Sequence, residues 1–211
     1  MVIEFIDSTK STQLDLIEAI KCGVVSPPHA IVAKFQTAGV GSRGNEWKSL
    51  EENLHFSFCV SSKDLPNDIP PNSISIYFAY IMKEYLSNLG SKVWLKWPND
   101  LYINDKKIGG VITTKIKDIY ICGIGINLAK SPIFADKLDI SLTQNSIAMG
   151  YLELLKNKFS WKQIFSKFLV EFEKSRNFTA HVDDKESSLK DAVLLNDGSV
   201  VINNKKVYSL R

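Results

Sequence analysis

No stretch of this chain approaches the roughly 20 consecutive apolar residues needed to cross a bilayer as a helix, and no signal-peptide pattern opens it. These absences predict a cytoplasmic protein with no membrane partner. Cysteine is scarce. Cys22, Cys59 and Cys122 stand far apart among apolar neighbours, an odd and unclustered set that argues for reduced thiols and against a disulfide framework. The three histidines, His29, His55 and His181, show no metal-ligand spacing with each other or with the cysteines, so no metal-binding residue is assigned. An excess of one charge is missing too. Lys+Arg number 26 against 23 Asp+Glu, and the resulting +3 is too weak to argue for nucleic acid. There is no internal repeat and no low-complexity tract.

What is present is ordinary in composition and particular in order. The 211 residues are 45% apolar and 23% charged, enough for one substantial domain and a small appendage. Val2–Ile6 reads as a strand, 7–13 as a polar loop rich in helix-capping residues, and 14–21 as a helix with Leu14, Ile17 and Ile20 on one face. Strands are expected at 30–36 and 54–61, with a Pro/Asp/Asn connection over 63–72. Ile74, Tyr77, Phe78, Ile81, Tyr85 and Leu89 fall at helical spacing. Strands at about 92–96, 101–103, 108–116 and 118–126 follow. The stretch 128–143 lacks periodicity, and loops of that length are usually functional or mobile. Helices are expected near 146–157 and 160–175, then a polar linker over 176–189. Three short strands with Asn-Asp-Gly and Asn-Asn-Lys turns end the chain at 192–196, 199–203 and 206–210. Residues 1–175 thus form the main domain, and 190–211 a piece too small to fold well alone, which should dock on it.

Three segments carry possible chemistry. In Trp94-Leu-Lys96-Trp97-Pro98-Asn99-Asp100, a lysine between two tryptophans leaves a strand before a proline turn. A partly dehydrated ammonium attracts an anion more strongly than an exposed one; a snorkelling edge-strand lysine explains the pattern equally well. In Gln36-Thr-Ala-Gly39-Val40-Gly41-Ser42-Arg43-Gly44-Asn-Glu-Trp47, glycines let backbone N–H groups approach an anion and the arginine supplies forked donors. A mobile turn has the same look, and the segment is neither a Walker loop nor a dinucleotide fingerprint. The apolar strand Ile121-Cys-Gly123-Ile-Gly125-Ile-Asn127 has glycines where a ligand or another backbone comes close. Its terminal amide can face a base or simply close a turn.

In this order the segments resemble the biotin–protein ligases. That family has a Ser-Thr-Asn/Gln entry, a Gln-x-Ala-Gly-x-Gly-Arg-x-Gly-x-x-Trp loop, Lys-Trp-Pro-Asn-Asp, Lys-x-x-Gly-Gly/Ala and Gly-x-Gly-x-Asn. Here these are Ser11-Thr12-Gln13, Gln36 to Trp47, Lys96 to Asp100, Lys107 to Gly110 and Gly123 to Asn127. Tyr208-Ser209-Leu210-Arg211 is similar to the end of the family's small SH3-like domain. The resemblance implies an α+β fold: a mixed sheet flanked by helices, like the catalytic domain of class II aminoacyl-tRNA synthetases, with a truncated SH3-like β appendage.

The resemblance also implies the chemistry. Biotin's carboxylate attacks the α-phosphate of ATP, giving biotinyl-5′-AMP, and a lysine of the biotin carboxyl carrier protein of acetyl-CoA carboxylase then attacks that anhydride. Lys96 and Arg43 become the catalytic residues. Ser11, Thr12, Gln13, Gln36, Gly39, Val40, Gly41, Ser42, Gly110, Gly123 and Gly125, with Lys96, are expected around biotin. Arg43, Trp47, Asn99, Lys107 and Asn127 are expected around ATP. Mg²⁺ would accompany the polyphosphate with few protein ligands. The family's sheet edges often pair, so a homodimer is compatible with the resemblance. Nothing before Val2 resembles a DNA-binding domain, so a single-function enzyme that does not bind DNA is expected.

Two departures stand out. Family loops commonly carry two arginines and a third basic residue where this chain has Val40, Ser42 and Asn45, which leaves Arg43 as the loop's one cation and suggests weaker retention of the adenylate. Ser8-Thr9-Lys10 also competes with Ser11-Thr12-Gln13 as the entry triplet; Gln13 and the helical pattern directly after it favour the second. A lipoate–protein ligase and a non-catalytic carrier-docking module are the alternative readings. The polar entry triplet with Gln36 argues against the first, and the retained Lys96 and Arg43 against the second.

Overall fold

The computed structural model describes residues 1–182 and 185–208. The elements are β1 (Val2–Thr9), α1 (Thr12–Lys21), β2 (His29–Gln36), β3 (Leu54–Ser61), α2 (Ile74–Asn88), β4 (Trp94–Lys96), β5 (Asp100–Ile103), β6 (Lys106–Ile116), β7 (Ile119–Ile126), α3 (Gln144–Leu155) and α4 (Trp161–Glu171). A hairpin, β8 (Thr179–Val182) and β9 (Lys185–Ser188), and a last small sheet, β10 (Val193–Leu194), β11 (Val200–Ile202) and β12 (Lys205–Val207), follow. Seven strands make one sheet in the order β1-β2-β3-β7-β6-β5-β4. Only β1 and β2 run parallel; every other neighbouring pair is antiparallel. This is the mixed, helix-flanked α+β sheet expected.

Alternation along the strands divides the apolar residues between two faces. Ala30, Val32, Phe56, Phe58, Cys122 and Ile124 point into the large core beneath α2, α3 and α4. Ile31, Cys59 and Ile121 meet Leu16 of α1 on the other face. With three helices on one side and a single ten-residue helix on the other, much of the second face is left for loops and a cleft.

Helix ends follow their caps. Ser11 caps α1, its Oγ accepting from the Leu14 N–H. Thr143 and Ser160 begin α3 and α4 with reciprocal capping boxes, each satisfying two otherwise unpaired donors.

Two expectations need correction. β1 runs on to Thr9, so the entry loop is only Lys10 and Ser11; parallel pairing of Ser8 with Phe35 and Thr9 with Gln36 extends it. Second, the stretch 176–189, read as a linker from its polarity, holds the β8–β9 hairpin. Its inward residues Ala180 and Leu189 are buried in the main core. Val182 packs against the same core, and the polarity of the rest of the ribbon hides these contacts. The expected C-terminal strands are present over 193–207, whereas Ser209, Leu210 and Arg211 lie outside the described residues.

The C-terminal sheet docks on the core as its size demands. Trp97 Nε1 donates to Gly198 O at 2.9 Å and Trp161 Nε1 to Asn196 O at 2.8 Å. Ser73 donates to Asp197 O. Trp97→Phe keeps the ring but strands a buried carbonyl, which costs about 1–3 kcal/mol. Urea denaturation should show that loss, and unchanged stability would mean that this bond does not anchor the appendage.

Candidate functional site

The cleft lies on the α1 face of the sheet, and strand register builds it. Lys96 pairs with Asp100, Asp100 with Gly110, Gly110 with Gly125, and Gly125 with His55. One row across five strands therefore runs from the edge lysine to the sheet's middle. The neighbouring row pairs Ile112 with Gly123 and Gly123 with Ser57. Apart from Ile112, the residues paired along these rows are small or polar, where Cys59 and Ile121 under α1 are apolar. The sheet is hydrophobic where a helix covers it and hollow beyond the helix's N-terminus.

Two side chains occupy the hollow. A Cβ on Gly123 would lie 2.7 Å from Gln13 Oε1, and one on Gly125 would lie 2.6 Å from the Trp47 indole. Each glycine is thus a seat for another residue's side chain. About 50 Å³ remains open in this inner chamber, against the roughly 300 Å³ and more of ligand pockets. An outer chamber of about 380 Å³ adjoins it and contains Lys96, Arg43 and Thr179–His181. Gln13, Val40, Gly41, Ser42, Asn99, Asp100 and Ile112 line both.

The entry triplet that reaches the cleft is Ser11-Thr12-Gln13; all three residues are buried, whereas Ser8 is an exposed strand residue. Thr12 donates through N (2.8 Å) and Oγ1 (3.1 Å) to Gln36 Oε1, and its hydroxyl lies 2.8 Å from Ser57 Oγ. Gln13 Nε2 donates to Ile121 O at 3.2 Å, which leaves its buried Oε1 without a partner. Trp47 Nε1 is likewise buried and unpartnered. Such groups are costly to leave unpaired, and here both sit at the chamber wall.

The Gly-rich segment is a loop that folds back on itself. Trp47 N donates to Gly39 O (2.8 Å) and Gly41 N to Asn45 O (2.7 Å). Arg43 takes a positive φ of 58° and extends to the hairpin, its Nη1 donating to His181 O at 3.2 Å.

Lys96 is buried, at 8% exposure. The flanking tryptophans do not enclose it as the sequence suggested. Trp97 turns into the core toward Gly198, and Trp94 bonds Asn104 O at 2.9 Å. The rings nearest the ammonium are Tyr102 and Phe178. Burial lowers the Lys96 pKa; Asp100 opposes this, and Lys107 and Arg43 reinforce it. Asp100 Oδ2 is 3.9 Å from Lys96 Nζ, while its Oδ1 is held by Lys107 at 2.6 Å. Asn99 ties the turn to β6 through Val111, whose N–H donates to Asn99 O at 2.9 Å.

Asn127 stands apart from this cluster. Its Nδ2 donates to Asp136 O at 3.0 Å, and its Oδ1 is 3.4 Å from Asn53 Nδ2. Asn53 Oδ1 accepts from the N–H groups of Leu128, Ala129 and Lys130. The long connection 128–143 is therefore anchored at its start, while Ile133 and Phe134 stay exposed. Sequence reasoning missed His55, Ser57, Asn53 and Phe178. The first two are legible only through register, and the others only through contacts distant in sequence. His55 is buried at the chamber, and burial pushes its pKa down.

The family model described as "Biotin/lipoate A/B protein ligase family" matches residues 2–129. The chain is 40% identical to the biotin acetyl coenzyme A carboxylase synthetase of Helicobacter pylori, solved with biotinylated ATP bound; the match covers 99% of this chain and 100% of that one, with a TM-score of 0.94. The biotin protein ligase of Aquifex aeolicus, in complex with biotin and ATP, superimposes with a TM-score of 0.74 at 25% identity over 100% of this chain and 96% of that one. The "Bifunctional ligase/repressor BirA" of Escherichia coli is 31% identical over 84% of this chain and 59% of its own length. The chain thus spans about three fifths of that relative.

A buried ammonium is a stability cost wherever it serves something other than packing. Since the folded pKa of Lys96 is lowered, the unfolded chain binds more protons between the two pKa values, and stability rises with pH across that interval. Lys96→Met should stabilise the protein at neutral pH by on the order of 1 kcal/mol, a gain that shrinks as pH rises through the lowered Lys96 pKa toward the ordinary lysine value. Urea denaturation across pH checks this. A less stable Lys96→Met protein at pH 7 would show that the ammonium is favourably paired.

Proposed function

Because the chain belongs to the biotin/lipoate A/B protein ligase family, we propose that it is an ATP-dependent biotin–protein ligase. It joins biotin to AMP and passes the biotinyl group to a lysine of the biotin carboxyl carrier protein. The observation that carries the reading is the buried Lys96 ammonium at the wall of a cleft whose inner end sets the polar Ser11, Thr12, Gln13 and Gln36 beside the apolar Phe56 and Ile112. Joining a carboxylate to an α-phosphate brings two anions together, and little covalent chemistry falls to side chains. Positioning the anions and screening their repulsion is most of the task.

In this mechanism Lys96 bridges the carboxylate and the α-phosphate, stabilising the charge that builds during attack and departure of pyrophosphate. Arg43 adds a second cation from the loop. Ser11, Thr12, Gln13 and Gln36, with the Gly39–Ser42 backbone, receive the ureido ring. The unpartnered Gln13 Oε1 and Trp47 Nε1 are hydrogen-bonding capacity that such a ring would use, and the small inner chamber means that Trp47 or Gln13 moves to admit it. Gly110, Gly123 and Gly125 form the floor. Lys107 and Asn99 lie toward the nucleotide, and Asn127 contributes by holding the 128–138 segment in place for adenine. The loop excludes water from a hydrolysable anhydride.

Among the described residues no group of three His, Cys, Asp or Glu side chains could hold a metal, and Asp100 at the cleft is already paired with Lys107. Any Mg²⁺ would arrive on the polyphosphate, as is common for this ion.

Biotin-dependent exchange of labelled pyrophosphate into ATP tests the reading, with lipoate as the control. Biotin should support exchange and lipoate should not. Lys96→Ala should lower the rate by a factor on the order of 10² to 10³, and full activity in that variant would remove Lys96 from its role. With one cation in its loop, the enzyme should also release adenylate more readily than arginine-rich relatives. Bystander lysines on an added protein should be biotinylated faster than by such a relative, and equal labelling would contradict this.

A further inference from the structure

Lys96 sits in a corner closed by rings from two distant parts of the chain. Its Nζ lies 5.4 Å from the Tyr102 ring centroid and 5.8 Å from that of Phe178. The two rings meet edge to face, 5.3 Å apart at 74°. Trp94 backs both, at 5.5 Å from Tyr102 and 5.4 Å from Phe178. Tyr102 belongs to β5 of the main sheet, opposite Trp94 in register. Phe178 lies outside the sheet, at the entry to the β8–β9 hairpin.

Asp100 and Glu186 favour the charge of the ammonium, but neither hydrogen-bonds it. Asp100 is 3.9 Å away, beyond hydrogen-bond range, and is bound to Lys107. Among the described residues no acceptor takes a hydrogen bond from Lys96, so its three N–H donors remain available. A carboxylate in bonding range would fix the charge but compete with the substrate anions for it. A ring face attracts the same cation through its quadrupole and adds no formal charge.

We propose that Phe178, acting with Tyr102, is a positioning residue for Lys96: the two ring faces hold the ammonium at the cleft wall while leaving its N–H groups free for the reacting anions. The inference rests on the ligase reading above. It makes the C-terminal segment part of the catalytic apparatus, since the chain that delivers Phe178 continues directly into the hairpin whose His181 carbonyl receives Arg43. Both cations assigned to the anion site then depend on residues 178–181.

The test uses the full chain with Phe178→Leu, which keeps apolar bulk but removes the ring face, and Phe178→Tyr, which keeps the ring. Pyrophosphate exchange gives kcat and KM, titration without ATP gives the biotin Kd, and thermal melting reports folding. Phe178→Leu should lower kcat about tenfold, with the biotin Kd and KM within about twofold of the parent; Phe178→Tyr should recover most of the loss. Should Phe178→Leu fail to fold, Tyr102→Leu against Tyr102→Phe asks the same question from the other ring, with the same expected split. Parental kcat in the leucine variant, equal damage from leucine and the ring-keeping residue, or loss of biotin affinity in step with kcat would each overturn the positioning role. An unmodified chain without biotin-dependent exchange would overturn the ligase reading and this inference with it, whereas an active chain indifferent to Phe178→Leu overturns the positioning alone.

Discussion

The architecture of the cleft depends on keeping one ammonium charged yet mostly out of water. Taking a lysine out of solvent opposes its charge, and in the folded chain burial does lower the Lys96 pKa. The surroundings answer without a tight ion pair. Asp100 is near enough to favour the cation but is occupied by Lys107, and two aromatic rings supply diffuse attraction. The result is a cation with unsaturated hydrogen-bonding capacity beside an open chamber. Such a group is poorly suited to stabilising a fold and well suited to meeting anions.

The rest of the site follows from how the sheet is covered. α1 is short, and the sheet face beyond its N-terminus is paved with Ser57, Gly110, Gly123 and Gly125. The missing side chains admit Gln13 from the helix and Trp47 from the Gly-rich loop. The Thr12–Gln36–Ser57 network then joins the helix start to β2 and β3. Polar groups that hold the site together and polar groups left unpaired stand side by side. The first set is structural; the second, Gln13 Oε1 and Trp47 Nε1, is hydrogen-bonding capacity left open at the chamber wall.

Much of this was legible in the sequence, for definite reasons. Helices showed through the 3.6-residue spacing around Ile74–Leu89 and through caps, and β6 and β7 through runs of β-branched residues. The cleft-lining triplet was chosen from Gln13 and the onset of helical periodicity, which are local signals. The enclosure of Lys96 was misjudged because adjacency in sequence suggested Trp94 and Trp97. The Trp97 ring instead turns into the core, and the lysine's true neighbour Phe178 is 82 positions away by its number. The hairpin at 179–188 was hidden by its own polarity. Asn127 read as a ligand-facing amide, yet its bonds to Asp136 and Asn53 arise from pairings that no local pattern encodes.

The central claim is that the Lys96 ammonium is dehydrated and without a hydrogen-bonding anion in the free protein, and gains its partners from substrate. NMR titration of the lysine side chains, with Lys96 assigned by its absence in Lys96→Met, measures this directly. In the free protein the Lys96 pKa should fall below the ordinary lysine value, and a non-hydrolysable biotinyl-adenylate analogue should raise it, because an anion within a few ångströms favours the charged form. An ordinary pKa in the free protein, or one that the analogue leaves unmoved, would contradict the account.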